Sequence, residues 1–417
     1  MVKNSAKISW ALYDFANSSF STLVTTFLFS TYFTQAIAPT PEIGTALWGT
    51  ATGIAGIIIA ITSPIVGAIA DHTGRRKPWL GFFSILCIIS TAMLYFAKPD
   101  TSFILFALTF TVLGTVGLEM GCVFYNSMLA ELAPKKKLGK LSGQAWALGY
   151  CGGLVCLFIA LGVFVKPIFP IFNLDSVTAE PIRASMLLTA LWFLIFSWPI
   201  FIFTPDTKKT NVKIIKAIYL AKNSIKDTFI NIRTYSNVFI FLLSRMVYID
   251  GVNTMFAFGG IYAAGTFGMS FSDILIFGIS LNITAGLGSL LLGWVDDYIG
   301  SKKTLNICLI SLIATTIGVL LAQDVYQFWI MALLMTSFFG PIQSSSRTLM
   351  LKIAPANKRN EMFGMYALSG KITSFIGPFL VGAITLITSS QRIGLATVLI
   401  FLIIGFIILQ YVDEEKQ

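Results

Sequence analysis

The sequence contains few charged residues. Only 12% of its 417 residues are Asp, Glu, Lys or Arg, about half of the roughly 25% found in soluble domains. In contrast, 56% are hydrophobic, and apolar runs of about 20 residues recur, which is the length that a bilayer requires. This composition is poorly compatible with a water-soluble enzyme, a secreted disulfide scaffold or a nucleic-acid-binding domain. It predicts a polytopic helical membrane protein.

Residues that bind metals or form disulfides are also scarce. The chain has one histidine, His72, and five cysteines, all within apolar segments. Such cysteines usually pack as small apolar side chains. We therefore expect no metal site, no cofactor and no disulfide. The ATP-binding pattern G-x-x-x-x-G-K-[ST] is missing too, which argues against a primary pump.

Twelve segments are long enough to cross a bilayer at about 1.5 Å per residue. Their predicted limits are 9–37, 45–70, 78–97, 102–132, 139–165, 183–203, 236–267, 272–295, 303–322, 326–353, 360–388 and 392–411. With a cytoplasmic N-terminus, 22 of the 29 Lys and Arg residues lie on the cytoplasmic side and four on the other. Because cationic loops are retained in the cytoplasm, we expect both termini there.

The longest loop, 205–235, divides the spans into two groups of six. Its stretch VKIIKAIYLAKNSIKDTF places Ile214, Ile218, Ile225 and Phe229 along one helical side, with lysines elsewhere. This pattern is typical of a helix in the membrane interface, and a solvated basic linker is the alternative. The predicted organisation is therefore a bundle at 1–204, a cytoplasmic linker at 205–235 and a bundle at 236–417.

The two groups of spans share sequence motifs. GAIADHTGRRKPWL after the second span matches GWVDDYIGSKKTL after the eighth. YDFANSSF in the first span matches IDGVNTMF in the seventh, and LAPKKKLGKLSG after the fourth matches IAPANKRNEMFG after the tenth. Three matches in the same order indicate two homologous six-helix halves.

Several of these motifs resemble those of a known family. The G-x-x-x-D-x-x-G-R-R-K segment resembles the signature loop of the major facilitator superfamily, although His72 stands where that loop usually has arginine. YDFANSSF, VFYNSMLAELAP, SGQAWALGYCGG, IQSSSR and EMFGMYALSGKITSFIGP resemble the vacuole effluxer group of that superfamily. Its eukaryotic members are autophagy-related vacuolar amino-acid exporters. The resemblance implies an all-α membrane fold of 12 transmembrane helices, in two six-helix bundles related by a pseudo-two-fold axis. It also implies a central cavity lined by the first, fourth, seventh and tenth spans.

Six ionisable residues lie inside predicted spans, where each costs roughly 2.5–3.5 kcal/mol on insertion scales. We expect them to be paired, neutral or in a water-filled cavity. The candidates for substrate contact or coupling are Asp14, Asn17, Glu119, Tyr125, Asn126, Asp250, Asn253, Arg347 and Lys371.

The roles of these candidates leave alternatives open. Glu119 fits a proton carrier or a neutral acid between helices, and Lys371 can pair with Glu119 or Asp250. The motif D-x-x-N-[ST], which starts at Asp14 in the first half and at Asp250 in the second, places polar side chains on one helical face. This face either lines the substrate path or forms a hydrogen-bonded cluster that packs helices together. Arg347 can bind a substrate carboxylate or a buried acid. Arg245 is expected to be an interfacial or structural charge.

The duplicated loops after the second and eighth spans predict a conformational gate. Asp71 ends a helix and can meet the positive N-terminus of the eleventh helix. Such a contact exists only while the cytoplasmic side is closed. The predicted gate residues are Gly67, Asp71, Gly74, Arg75, Arg76, Gly293, Asp297 and Gly300.

These features predict a secondary transporter, not an enzyme. The expected cargo is a small organic solute, with an amino acid or related metabolite favoured and protons as a candidate coupling ion. The alternatives are a proton-driven exporter of drugs or amphipathic compounds, and a membrane receptor or membrane-embedded enzyme. We expect a monomer in a bacterial plasma membrane that binds solute and lipid but no nucleic acid.

Overall fold

A computed structural model describes residues 3–167, 174–231 and 233–414. Within these ranges the chain is helical and contains no strand. Ten of the helices in this part are long and apolar enough to cross a membrane. The first and eleventh spans are also helical but are interrupted. The prediction of a helical membrane protein with twelve spans is confirmed.

The observed helices differ from the predicted limits by five residues or fewer at each end. The linker helix is Ile214–Ile230. In chain order the spans are Asn4–Ser19 continued by Phe20–Phe27, Phe29–Tyr32 and Phe33–Ile37; Pro41–Thr73; Lys77–Met93; Ile104–Leu132; Leu138–Ile159 continued by Ala160–Val165; Glu180–Phe203; Ser236–Phe267; Phe271–Ile299; Ser301–Leu321; Val325–Thr336 with Phe339–Ile353; Arg359–Ser369 with Ile376–Thr388; and Gln391–Ala396 with Val398–Gln410.

Short polar side chains start several spans. The Thr40 hydroxyl accepts the backbone N–H of Ile43, and Pro41 occupies the first helical position. Asp324 accepts the N–H of Gln327 in the same way. These contacts satisfy N–H groups that have no partner within the helix. These loop residues therefore fix where the second and tenth spans begin.

The eleventh span is broken between Ser369 and Ile376, a feature that the sequence analysis did not predict. Pro378 supplies the physical reason, because proline disrupts a helix interior but is tolerated in the first turn. The second segment begins two residues before Pro378. Asp250 of the seventh span accepts the freed backbone N–H of Gly377 at 3.2 Å, as unpaired groups in a membrane require.

The two halves meet along two seams, where the second span packs on the eleventh and the fifth on the eighth. A Cβ atom on Gly364 would lie 2.3 Å from the carbonyl oxygen of Ser63, and one on Gly143 would lie 2.3 Å from that of Ser289. Ser63 and Ser289 are equivalent positions of the two halves, because they are as far apart in the sequence as Asp71 and Asp297. The seams therefore repeat each other, and both lie on the side that carries the linker helix, which we call the linker side.

Candidate functional site

A cavity of about 340 Å³ lies between the halves. This is at the lower end of the roughly 300–1,000 Å³ of small-molecule sites. The first, fourth, seventh and tenth spans contribute to its wall, together with the fifth, eighth and eleventh. The structure brings seven predicted site residues together here: Asp14, Asn17, Glu119, Asn126, Asn253, Arg347 and Lys371.

Arg347 closes the linker-side end of this cavity. Its Nη1 donates to Asp14 Oδ2 and to Asn126 Oδ1, both at 3.2 Å. Its Nε and Nη2 donate to the hydroxyl and the carbonyl oxygen of Ser142, both at 2.9 Å. One side chain of the tenth span thus binds the first, fourth and fifth spans. The sequence analysis left two partners open for Arg347, a substrate carboxylate or a buried acid. In this state Arg347 binds the buried acid Asp14.

Aromatic rings surround the Arg347 guanidinium. Its central carbon lies 4.8 Å from the ring centroid of Trp10 and 5.9 Å from that of Trp146. Tyr125 stacks on Trp10 at 4.5 Å and is fully buried. Tyr125 therefore supports the arginine from behind and, contrary to the prediction, is not part of the cavity wall. Trp146 lines the cavity, and its indole N–H is buried without a partner.

A second ion pair crosses the cavity. Lys371 Nζ lies 2.6 Å from Glu119 Oε1, and the two side chains are 30% and 29% exposed. Of the two predicted partners for Lys371, the structure selects Glu119. Because both groups remain open to the cavity, water or a solute can reach them.

Arg245 also lines the cavity, although the sequence analysis expected an interfacial or structural charge. Its Nη1 donates to the carbonyl oxygen of Tyr366 at 2.8 Å and to Ser369 Oγ at 2.9 Å. Its guanidinium lies 3.5 Å from the Tyr366 ring centroid, and its Nε is buried without a partner. Among the described residues, no ion pair within 4.0 Å includes Arg245. The spacing Arg245, Ile249, Asn253 marks one helical face and could have revealed this position.

Asp250 does not line the cavity, in contrast to the prediction. The side chain is 1% exposed, and its carboxylate contacts the break in the eleventh span through Gly377. Ile249 and Asn253 define the cavity face of the seventh span, and Asp250 lies about 100° away from Ile249 around the helix. Asp14, the corresponding residue of the first half, does face the cavity. The duplicated face therefore has different surroundings in the two halves.

Both gate aspartates bind helix N-termini of the opposite half. Asp71 accepts the backbone N–H groups of Asn360 at 3.1 Å and Glu361 at 2.8 Å, in the first turn of the eleventh span. Asp297 accepts those of Gly139 at 2.7 Å and Lys140 at 3.0 Å, in the first turn of the fifth span. Carboxylates are favoured there because the N–H groups are free and the helix end is positive. These contacts close the linker side.

The arginines of the first gate loop differ in position. Arg76 is buried, and its Nη1 lies 2.6 Å from Glu131 Oε2. The other oxygen of Glu131 lies 3.2 Å from Arg359 of the opposite half. Arg76 therefore contributes to closure through Glu131, which the sequence analysis missed. Arg75 is exposed and lies outside this contact.

Each gate loop requires glycines. Gly74 and Gly300 have φ angles of +87° and +95°, which side chains with a Cβ rarely adopt. A Cβ on Gly67 would lie 2.2 Å from the carbonyl oxygen of Asn360, and one on Gly293 would lie 2.8 Å from that of Gly139. These glycines permit the helices of opposite halves to touch.

Comparison with known proteins identifies relatives over nearly the whole chain. The family described as "Vacuole effluxer Atg22 like" matches residues 44–417. The uncharacterized MFS-type transporter YxiO of Bacillus subtilis is 30% identical and covers 98% of this chain and 95% of its own length. Autophagy-related protein 22 of Cryptococcus neoformans is 25% identical over 66% of this chain and 51% of its own.

Solved structures share the fold. The proton:xylose symporter XylE has a TM-score of 0.77 at 13% identity, covering 98% of this chain and 95% of its own. The transporter FucP in its outward conformation has a TM-score of 0.75 at 14% identity, covering 98% of each chain. At such identity the likeness shows the architecture alone.

Proposed function

The chain belongs to the Atg22-like vacuole effluxer family of the major facilitator superfamily, and we propose that this secondary transporter carries a small zwitterion with a carboxylate, such as an amino acid. The observation behind the proposal is the division of charge in the cavity. The acids Asp14 and Glu119 come from the first half, whereas Arg245, Arg347 and Lys371 come from the second. An ammonium group would face the acids and a carboxylate the bases.

Arg245 is the proposed carboxylate receptor. Arg347 and Lys371 already hold acids of the protein, whereas Arg245 has a buried Nε without a partner. A charge buried without a counter-ion is costly. A solute carboxylate at Arg245 would supply one.

The two ion pairs that cross the halves also suggest how solute and conformational change are linked. Opening the linker side must separate Arg347 from Asp14, and breaking such a buried pair costs roughly 3–5 kcal/mol when no substitute arrives. Solute groups that replace the lost partners would lower this cost. The empty carrier would then stay closed on the linker side until solute binds.

Proton coupling through Glu119 forms part of the proposal. A proton on Glu119 would remove the negative charge that holds Lys371, and the pair is open to the cavity. One charge moving through 100 mV supplies about 2.3 kcal/mol. We place the linker side in the cytoplasm of a bacterial cell, since most Lys and Arg residues lie there.

Transport by purified protein in liposomes tests this proposal. With an imposed pH gradient, mass spectrometry of the lumen should show saturable accumulation of members of an amino-acid mixture. Arg245→Gln should lose most of this flux. Arg392→Gln is the matched control, because Arg392 also lies over an aromatic ring of the second half but outside the cavity. Wild-type flux in Arg245→Gln, or no amino-acid flux in the wild type, would contradict the proposal.

A second candidate, export of amphipathic compounds, is favoured by an apolar cavity of about 200 Å³ beside the first. The two cavities share Thr26, Phe27, Phe256 and Asn282. A lipophilic cationic dye distinguishes the candidates in the same liposomes. Dye transport that amino acids do not inhibit would favour the exporter.

A further inference from the structure

The linker helix Ile214–Ile230 contacts both halves of the molecule. Ala217 and Ala221, near its start, are buried against Ala68 and Ile69 of the second span. These small side chains allow close packing of the two helices. The first part of the linker helix is therefore attached to the first half.

The last part of the linker helix binds the second half through a buried acid. Glu361, in the first turn of the eleventh span, is 0% exposed. Its oxygens accept the hydroxyl groups of Ser224 at 2.6 Å and Thr228 at 2.5 Å. Asp227 adds an ion pair with Lys358 at 3.0 Å. The hydrogen bond from Lys358 lowers the pKa of Asp227, so this pair is ionised at neutral pH.

These contacts lie directly over the seam. The backbone N–H of Glu361 donates to Asp71, the gate aspartate of the first half. When the second and eleventh spans separate, the linker helix must release one of them. If it releases the eleventh, the Glu361 carboxylate loses both hydroxyl donors. The linker helix therefore braces the closed seam.

Another face of the linker helix is apolar and exposed. Projected at 100° per residue, the bulky residues of this face span an arc of roughly 160° around the helix axis. The arc adjoins the side of the helix that packs against the rest of the protein. Lys222 and Lys226 fall inside this arc, whereas Lys216 and Asn223 lie beyond it. The exposed members are Ile214 at 49%, Ile215 at 80%, Ile218 at 51%, Tyr219 at 66%, Phe229 at 53% and Ile230 at 67%.

An exposed apolar arc that contains lysines suits the surface of an anionic membrane. Apolar side chains enter the headgroup boundary, and long lysine side chains reach lipid phosphates. Basic residues near such a surface add electrostatic attraction to the anionic headgroups. The contacts of the linker helix with Ile69 and Glu361, at the ends of the second and eleventh spans, place it where the headgroups of a bilayer would lie.

We propose that the linker helix is a clamp that binds the closed seam with one face and an anionic lipid surface with another. Whatever binds one state better shifts the equilibrium toward it. Anionic lipid therefore stabilises the state that is closed on the linker side. This inference concerns the empty protein and does not depend on the identity of the solute.

The position of the helix is tested with spin labels on the full chain, after replacement of the native cysteines. Ile218→Cys and Asn223→Cys place labels about 140° apart around the helix, inside the apolar arc and beyond it. In nanodiscs of equal phosphatidylcholine and phosphatidylglycerol, the label at 218 should be relaxed more by oxygen and the label at 223 more by a soluble nickel chelate. Equal nickel accessibility at both positions would overturn the proposal.

The effect on the gate is tested by the distance between labels at Lys137→Cys and Lys303→Cys, on opposite halves. Phosphatidylglycerol should increase the short-distance population relative to phosphatidylcholine alone. The double variant Lys222→Gln/Lys226→Gln should lose most of this shift, whereas Lys213→Gln/Lys216→Gln, with one residue just before the helix and one beyond the arc, should keep it. Identical distances in both lipids, or an unchanged shift in the first variant, would overturn the clamp. No solute is needed, so a failure here is distinct from a failure of the proposed transport.

Discussion

At the scale of single residues, each embedded charge is accommodated differently. Asp14 and Glu119 pair with bases of the opposite half. Asp250 binds a backbone N–H at a helix break, and Arg245 uses a carbonyl oxygen and an aromatic ring. The charges that pair across the halves would be parted by opening of the linker side. The others stay within one half.

The Asp14–Arg347 pair should contribute strongly to stability, because both side chains are largely buried. Arg347→Gln leaves Asp14 without its partner and should destabilise the protein by roughly 3–5 kcal/mol. Thermal unfolding in detergent measures the change. The double variant Asp14→Asn/Arg347→Gln should recover part of the loss, since it leaves no unpaired charge. A double variant as unstable as the sum of the single variants would contradict the pairing.

Glu119 should control energy coupling more than solute binding. Glu119→Gln cannot gain or lose a proton, so it should retain solute exchange between equal concentrations but lose accumulation driven by a pH gradient. Glu180→Gln serves as the control, because Glu180 contacts Tyr95 outside the cavity. Normal accumulation in Glu119→Gln would show that another group carries the proton.

The sequence predicted that these charges must be satisfied, but it did not identify their partners. Arg347 and Asp14 are 333 residues apart, so their contact depends on how the halves meet. Helical spacing put Asn17 and Asn253 on the faces of Asp14 and Asp250, and both asparagines line the cavity, whereas Asp250 does not. The spacing could not show which side of the seventh span faces the cavity, because that depends on how the helices pack.

At the scale of helices, the limits of the spans were predictable because hydrophobic length and polar loops determine them. The break before Pro378 and the contacts of the linker helix were not. A proline late in an apolar run does not specify which neighbour satisfies the freed backbone groups. The sequence predicted an apolar side of the linker helix but placed its lysines elsewhere, whereas Lys222 and Lys226 lie inside the exposed arc. The attachment of this helix through Glu361 required the packed structure.

The seam glycines should be needed for closure of the linker side. Gly67→Leu places side-chain atoms where the carbonyl oxygen of Asn360 lies, so it should hold the second and eleventh spans apart. Spin labels at positions 137 and 303 should then report a longer distance. Gly53→Leu is the control, because a Cβ at Gly53 meets nothing within 4 Å. An unchanged distance in Gly67→Leu would contradict the role of the seam.

At the scale of the whole molecule, the duplication extends beyond the gate motifs. Asp206 accepts the backbone N–H of Arg76 at 3.0 Å, at the start of the third span. Glu414 accepts those of Ser301 at 2.9 Å and Lys302 at 2.8 Å, at the start of the ninth. In each half, an acid that follows the last span accepts N–H groups at the start of the span that comes directly after the gate loop. The cavity departs from this symmetry, because its acids come from one half and its bases from the other.

In the proposed transport cycle, the two halves expose the charged cavity alternately to the two sides. Distances from two label pairs, at 137 and 303 on the linker side and at Glu42→Cys and Thr388→Cys on the opposite side, test it most directly in nanodiscs. On addition of a transported amino acid, the linker-side distance should lengthen while the opposite distance shortens. If both distances change in the same direction, or neither changes during measured transport, the halves do not alternate in this way.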